Sequence, residues 1–159
     1  MRVTYDLVVG LHVSAALLSV GAFAASTGYA LAGSRVEPHS EAAARFFRSG
    51  TPAAARSIDA VPVLGLVLLA MNRHGYGLAQ PWLWVSVVAW AVAALIAHAG
   101  VWPAEGDAAH LVAARQPGDP LSSEVLRSAY RRVAIPASAT TACLFVAIAL
   151  MVLKPGAPR

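Results

Sequence analysis

Apolar residues run through this chain in four long stretches, separated by polar segments that carry most of its arginines. A stretch of roughly 20 apolar residues crosses the ~30 Å hydrocarbon core of a bilayer as a helix rising 1.5 Å per residue. The pattern predicts an all-α membrane protein: a four-transmembrane-helix bundle with short amphipathic loop helices, forming one domain over residues 1–159.

The first helix is expected over about residues 5–31, between Thr4 or Asp6 and the pair Gly33-Ser34. It is too long for the apolar core of a cleavable signal peptide, so it reads as a retained span. Residues 34–50 surround Phe46-Phe47 with charge and predict an interfacial helix or loop. The second helix, about 52–71, is fully apolar only from Ala60 to Met71, too short to span alone. With Thr51 as cap and Pro52 at the first position, the span takes Arg56 and Asp59 into the membrane zone, and Pro62 is expected to bend it. The run from Asn72 to Gly77 reads as a turn. Pro81 and Pro103 bracket a third helix, about 82–102, whose end tryptophans suit the two interfacial belts. A polar loop follows to Arg132, broken at residues 116–120, with a short amphipathic helix expected over 121–131. The fourth helix, about 133–153, carries Pro136 in its first turn and stops at Lys154-Pro155-Gly156.

Composition agrees with the bilayer as solvent: 58% of residues are hydrophobic and 13% charged. A net charge of +4 would suit nucleic acid, but the arginines lie in loops rather than along one stripe, which argues against it. Arg35, Arg45, Arg48, Arg56, Arg115, Arg127, Arg131 and Arg132 follow helices one and three, whereas Arg2, Arg73, Lys154 and Arg159 lie on the other side. Basic loops stay in the cytoplasm, so a multi-pass protein of a bacterial plasma membrane is expected, with both termini outside and the long loops cytoplasmic. Cys143 is the only cysteine and excludes an internal disulfide.

Helices in lipid associate through small residues and interhelical hydrogen bonds. Small residues four apart recur as Gly10 and Ser14, Gly21 and Ala25, and Ala24 and Gly28; they recur again as Ala89, Ala93 and Ala97, and as Ala134, Ser138 and Ala142. Packing within the bundle explains them most simply, with helix one central through Gly21, Ala24, Ala25 and Gly28; a homodimer or partner-subunit face is the other reading.

Chemistry is sparse: no phosphate loop, nucleophile elbow or His-Glu-x-x-His run occurs, and no catalytic residue or metal cluster is assigned. His12 and His98 are the intramembrane histidines, and residue counting puts them about 14 Å apart in depth, too far to share one haem iron. His12 and His74 share a side and are the candidate cofactor-binding pair, with haem b as the cofactor that would suit them. Glu105, Asp107 and His110 are a candidate cation-binding group on the inner side, with solvated side chains in a loop as the expected state. Arg56, Asp59 and His98 come to similar depth and form a candidate buried polar cluster tying helices two and three together.

Leu11-His12-Val13, the stretch from Arg56 through Asp59 to Pro62, and the closing Leu150-Met151-Val152-Leu153-Lys154-Pro155 resemble a bacterial family of four-helix integral membrane proteins of unknown function. That family is distantly similar to copper-resistance membrane domains and to the membrane bundle of protoporphyrinogen oxidases, which implies haem or copper by analogy and matches His12 to a first-helix histidine. Missing catalytic groups and plentiful small-residue faces make a non-enzymatic accessory or assembly subunit the leading expectation. Its partners would be the lipid bilayer and either other membrane subunits or a second copy. A haem b- or metal-binding redox protein using His12 is the alternative, and a small transporter the second.

Overall fold

The computed structural model describes residues 2–35, 41–49, 52–71, 80–114 and 120–155. The elements are α1 (Arg2–Arg35), α2 (Glu41–Arg48), a 3-10 helix (Ala53–Asp59) leading into α3 (Ala60–Met71), α4 (Pro81–Ile96), a π turn (Ala97–Val101), α5 (Trp102–Ala114) and α6 (Pro120–Leu153). Four of the resulting rods are long and apolar enough to cross a membrane: Val3–Arg35, Ala53–Met71, Pro81–Ala114 and Ser123–Leu153. The protein is an all-α four-helix membrane bundle.

Two boundaries differ from the sequence expectation, for one reason. The third apolar run does not stop at Pro103 but continues to Ala114. Proline lacks the N–H that an α-helix interior needs, and its ring crowds the carbonyl of the preceding turn. The π turn relieves this: the Trp102 N–H reaches back to Ala97 O, and Pro103 follows in a locally widened helix. The fourth run also begins early, because the expected 121–131 and 133–153 helices are one rod from Pro120, with Pro136 inside it. Pro136 lies against the π turn, where a Cβ on Gly100 would come within 3.1 Å of the Pro136 Cβ. The two helices approach closely where both carry proline.

Before α3 the chain is 3-10 rather than α. Ala55 N–H donates to Pro52 O at 2.9 Å, and the change to α comes at Ala60, ahead of Pro62. α1 runs antiparallel to α3, as the approaches of His12 to Gly65 and Ser19 to Ser57 show, and antiparallel to α6, where Gly33 meets Tyr130. α1 and α6 each have 34 residues, about 50 Å at 1.5 Å per residue and well beyond the ~30 Å hydrocarbon core.

Burial shows where the surplus lies. Toward the end holding the first turn of α1 and the last turn of α6, the surface is apolar: Leu7, Leu11, Leu17 and Leu18 of α1, Leu66 of α3, Trp84 and Leu95 of α4, and Phe145 and Val152 of α6 are all exposed. Trp82, at the start of α4, is buried between helices. Toward the arginine-bearing end the helices close over a core of Phe23, Phe47, Ile58, Val101, Leu126 and Tyr130. An apolar band therefore stands on a packed cap.

Candidate functional site

Polar groups concentrate where band and cap meet. Asp59 ends the 3-10 helix and His98 sits in the π turn, with His98 Nε2 3.6 Å from Asp59 Oδ1. His98 Nδ1 donates to Ala94 O at 2.8 Å, and the Trp102 ring lies 4.1 Å from the imidazole, so the ring is held on two sides. Trp90 Nε1 donates to Ile58 O at 3.0 Å and adds a second tie between α4 and the 3-10 helix. Arg56 stands one 3-10 turn before Asp59, where side chains eclipse, so both point to the same side. That side is outward. Asp59 is 54% exposed and His98 50%, and Arg56 is exposed, so the three do not form the enclosed cluster expected from depth alone.

A second polar seam joins α1 to the 3-10 helix. Ser57 Oγ donates to Ala15 O at 3.0 Å, and Ser19 Oγ lies 2.8 Å from Ser57 Oγ. Ser19 is fully buried. Sequence reasoning passed over both serines, which carry no motif.

Glu105 is the larger surprise. Expected in a solvated loop, it is 1% exposed on α5, and Ser26 Oγ of α1 donates to its Oε1 at 2.5 Å. Ser26 is itself buried. The signal lay in the spacing of Val101, Glu105, Ala108 and Val112, the buried stripe of a helix that continues past Pro103. Asp107 and His110 do point outward.

His12 packs on α3, where Gly65 makes room: a Cβ there would sit 3.3 Å from His12 Cε1. Among the described residues His12 Nδ1 is buried without a hydrogen-bond partner. His74, its expected companion, lies outside the described residues. His98 meets Asp59, well along α3 and the 3-10 helix from Gly65, so the structure does not bring His12 and His98 together. Among the described residues no three or more His, Cys, Asp or Glu side chains are grouped to hold a metal ion.

The small-residue stripes divide. Ala93 and Ala97 are fully buried between helices, and Ala134 nearly so, while Ser138 and Ala142 are exposed. α1 packs against α6, the 3-10 helix, α3 and α2, but not through the expected face: Gly21, Ala24 and Gly28 are exposed, Ala25 is half-buried, and a Cβ added at Gly10, Gly21 or Gly28 would meet nothing within 4 Å. Gly33 is the α1 glycine that packs, since a Cβ there would overlap the Tyr130 ring. Gly10, Gly21 and Gly28 thus face away from the bundle, and their size carried no information on direction. At Gly21 this face opens into an apolar groove of about 630 Å³ that runs along Leu17, Leu18 and Ala22 to Phe46 of α2 and Pro52.

Residues 6–155 match the family described as "Predicted integral membrane protein (DUF2269)". The chain belongs to that family. No curated protein and no solved structure matches it.

Proposed function

For this member of the family we propose a non-enzymatic accessory or assembly subunit of a bacterial plasma-membrane complex, docking through α1. The observation behind this reading is the outward face of Gly10, Gly21, Ala24 and Gly28, open where helices in lipid need small residues to approach one another. The Lys and Arg bias toward the cap supports a cytoplasmic cap with both termini outside. The docked partner is another membrane subunit or a second copy of this chain. Photo-crosslinking from position 28 in native membranes, read by mass spectrometry, tests the docking: a defined crosslinked polypeptide that disappears in Gly21→Leu is the expected result. Crosslinks to lipid alone overturn it.

A second reading, a haem- or metal-binding redox protein, draws on the buried Nδ1 of His12. Purified protein with a Soret band that His12→Ala abolishes favours it; a colourless, metal-free preparation from haem-replete cells removes it.

A further inference from the structure

His98 is held in a way that fixes which of its nitrogens can act. Its Nδ1 donates to Ala94 O at 2.8 Å, so in the neutral ring the proton sits there and Nε2 carries a lone pair. That lone pair faces Asp59 Oδ1, a second acceptor, 3.6 Å away. Two acceptors turned toward each other call for positive charge between them. Among the described residues Arg56 does not supply it, since the ion-pair contact of Asp59 is with His98. The separation says what kind of charge fits. An N–H···O hydrogen bond holds its heavy atoms ~2.7–3.2 Å apart, less than this gap. A nitrogen and an oxygen that each lie ~2.0–2.2 Å from one tetrahedral ion stand about 3.4 Å from each other, close to what is seen.

The surroundings suit an ion as well. Histidines that ligate metals commonly give their other N–H to a backbone carbonyl, which aims the ring and sets its tautomer, and Ala94 O does this for His98. The Trp102 ring backs the imidazole, with centroids 4.1 Å apart. His98 stands in the π turn, a local widening found often at functional sites. With Asp59 54% and His98 50% exposed, the outer side of the pair is open to water or to an incoming group. We propose that His98 Nε2 and the Asp59 carboxylate hold a divalent transition cation of the zinc class, for which imidazole and carboxylate are accepted donors. Two protein ligands make an open, exchangeable site, unlike the closed four-ligand sites that lock a fold. The site uses neither His12 nor the glycine face of α1, so it stands apart from both readings above.

The test is titration of Zn²⁺ alone into the metal-free full chain in phosphatidylcholine nanodiscs, followed by calorimetry and repeated with Co²⁺, whose visible absorption reports its ligands. Wild type binds one ion per chain in the tightest phase. His98→Gln and Asp59→Asn each weaken that phase by about tenfold or more while keeping the wild-type helical circular dichroism. Arg56→Gln removes a neighbouring cation and strengthens binding about two- to fivefold, a gain that misfolding cannot mimic. Wild type that takes up no Zn²⁺ overturns the proposal and leaves a plain ion pair. A tightest phase that survives His98→Gln overturns it too, as does one that His12→Ala abolishes, which would move the metal to the redox reading. Gly21→Leu, which breaks the docking reading, leaves the titration unchanged, so the two ideas fail separately.

Discussion

The apolar band and the cap are made by the same helices yet hold together differently. In the cap, Tyr29, Phe46, Phe47 and Tyr130 form a chain of ring contacts with centroids 4.5, 5.0 and 5.4 Å apart, over a core that includes the buried Glu105. In the band the buried positions are mostly small, such as Ala15, Ser86, Ala93 and Ala147, while the large side chains turn outward. Water outside the membrane makes burial of aromatics favourable; lipid tails offer no such drive, and only close approach and hydrogen bonds remain. A glycine in the cap is a packing device. In the band it can be an unused surface.

Substitutions sharpen the contrast. Glu105→Ala strikes the most enclosed polar contact, strands Ser26 and leaves a void; a loss of about 3 kcal/mol is expected, read as a lowered melting temperature in detergent. Glu105→Gln, which keeps the shape and an acceptor, loses less. Gly33→Ala forces a methyl into the Tyr130 ring and costs ~1–3 kcal/mol by overpacking, measurable in the same melt. Asp59→Asn removes a half-exposed partner of His98 and shifts stability by under ~1 kcal/mol. Gly21→Leu, bulkier than the Gly33 change, leaves the melt of the isolated chain within ~0.5 kcal/mol. If Gly21→Leu destabilised as much as Gly33→Ala, the division into open band and packed cap would be lost.

Orientation is tested separately: cysteines replacing the exposed Ser49 and Ser128 should resist an impermeant thiol reagent in intact cells and react after permeabilisation.

The spans were legible because a bilayer imposes length and apolarity, which a sequence displays directly. What escaped was direction. Counting residues says at what level Asp59 and His98 stand, but the 3-10 helix decides that Asp59 points outward. The composition of α1 is small on both sides, so nothing separated Gly33, which packs, from Gly21 and Gly28, which do not. Pro103 was read as a stop because a proline usually ends an α-helix, and a π turn lets the chain continue past it. Glu105 was misplaced with it.

That π turn also acts as a correction of phase. The inward positions Ala93, Ala97, Val101 and Glu105 advance by four residues three times in succession. An α-helix takes about 3.6 residues per turn, so a face spaced in this way falls behind by roughly one residue, or about 100°, over that distance. The widened turn over Ala97–Val101 takes up the extra residue where the debt accrues. The same rod can thus present Ala93 to the bundle in the band and Glu105 to Ser26 in the cap. Drawing the same residues into an unbroken α-helix would leave the membrane half of this rod as it is and rotate the carboxylate out of the core, whereas removing one residue between Ala97 and Val101 would let an unbroken α-helix keep it facing inward.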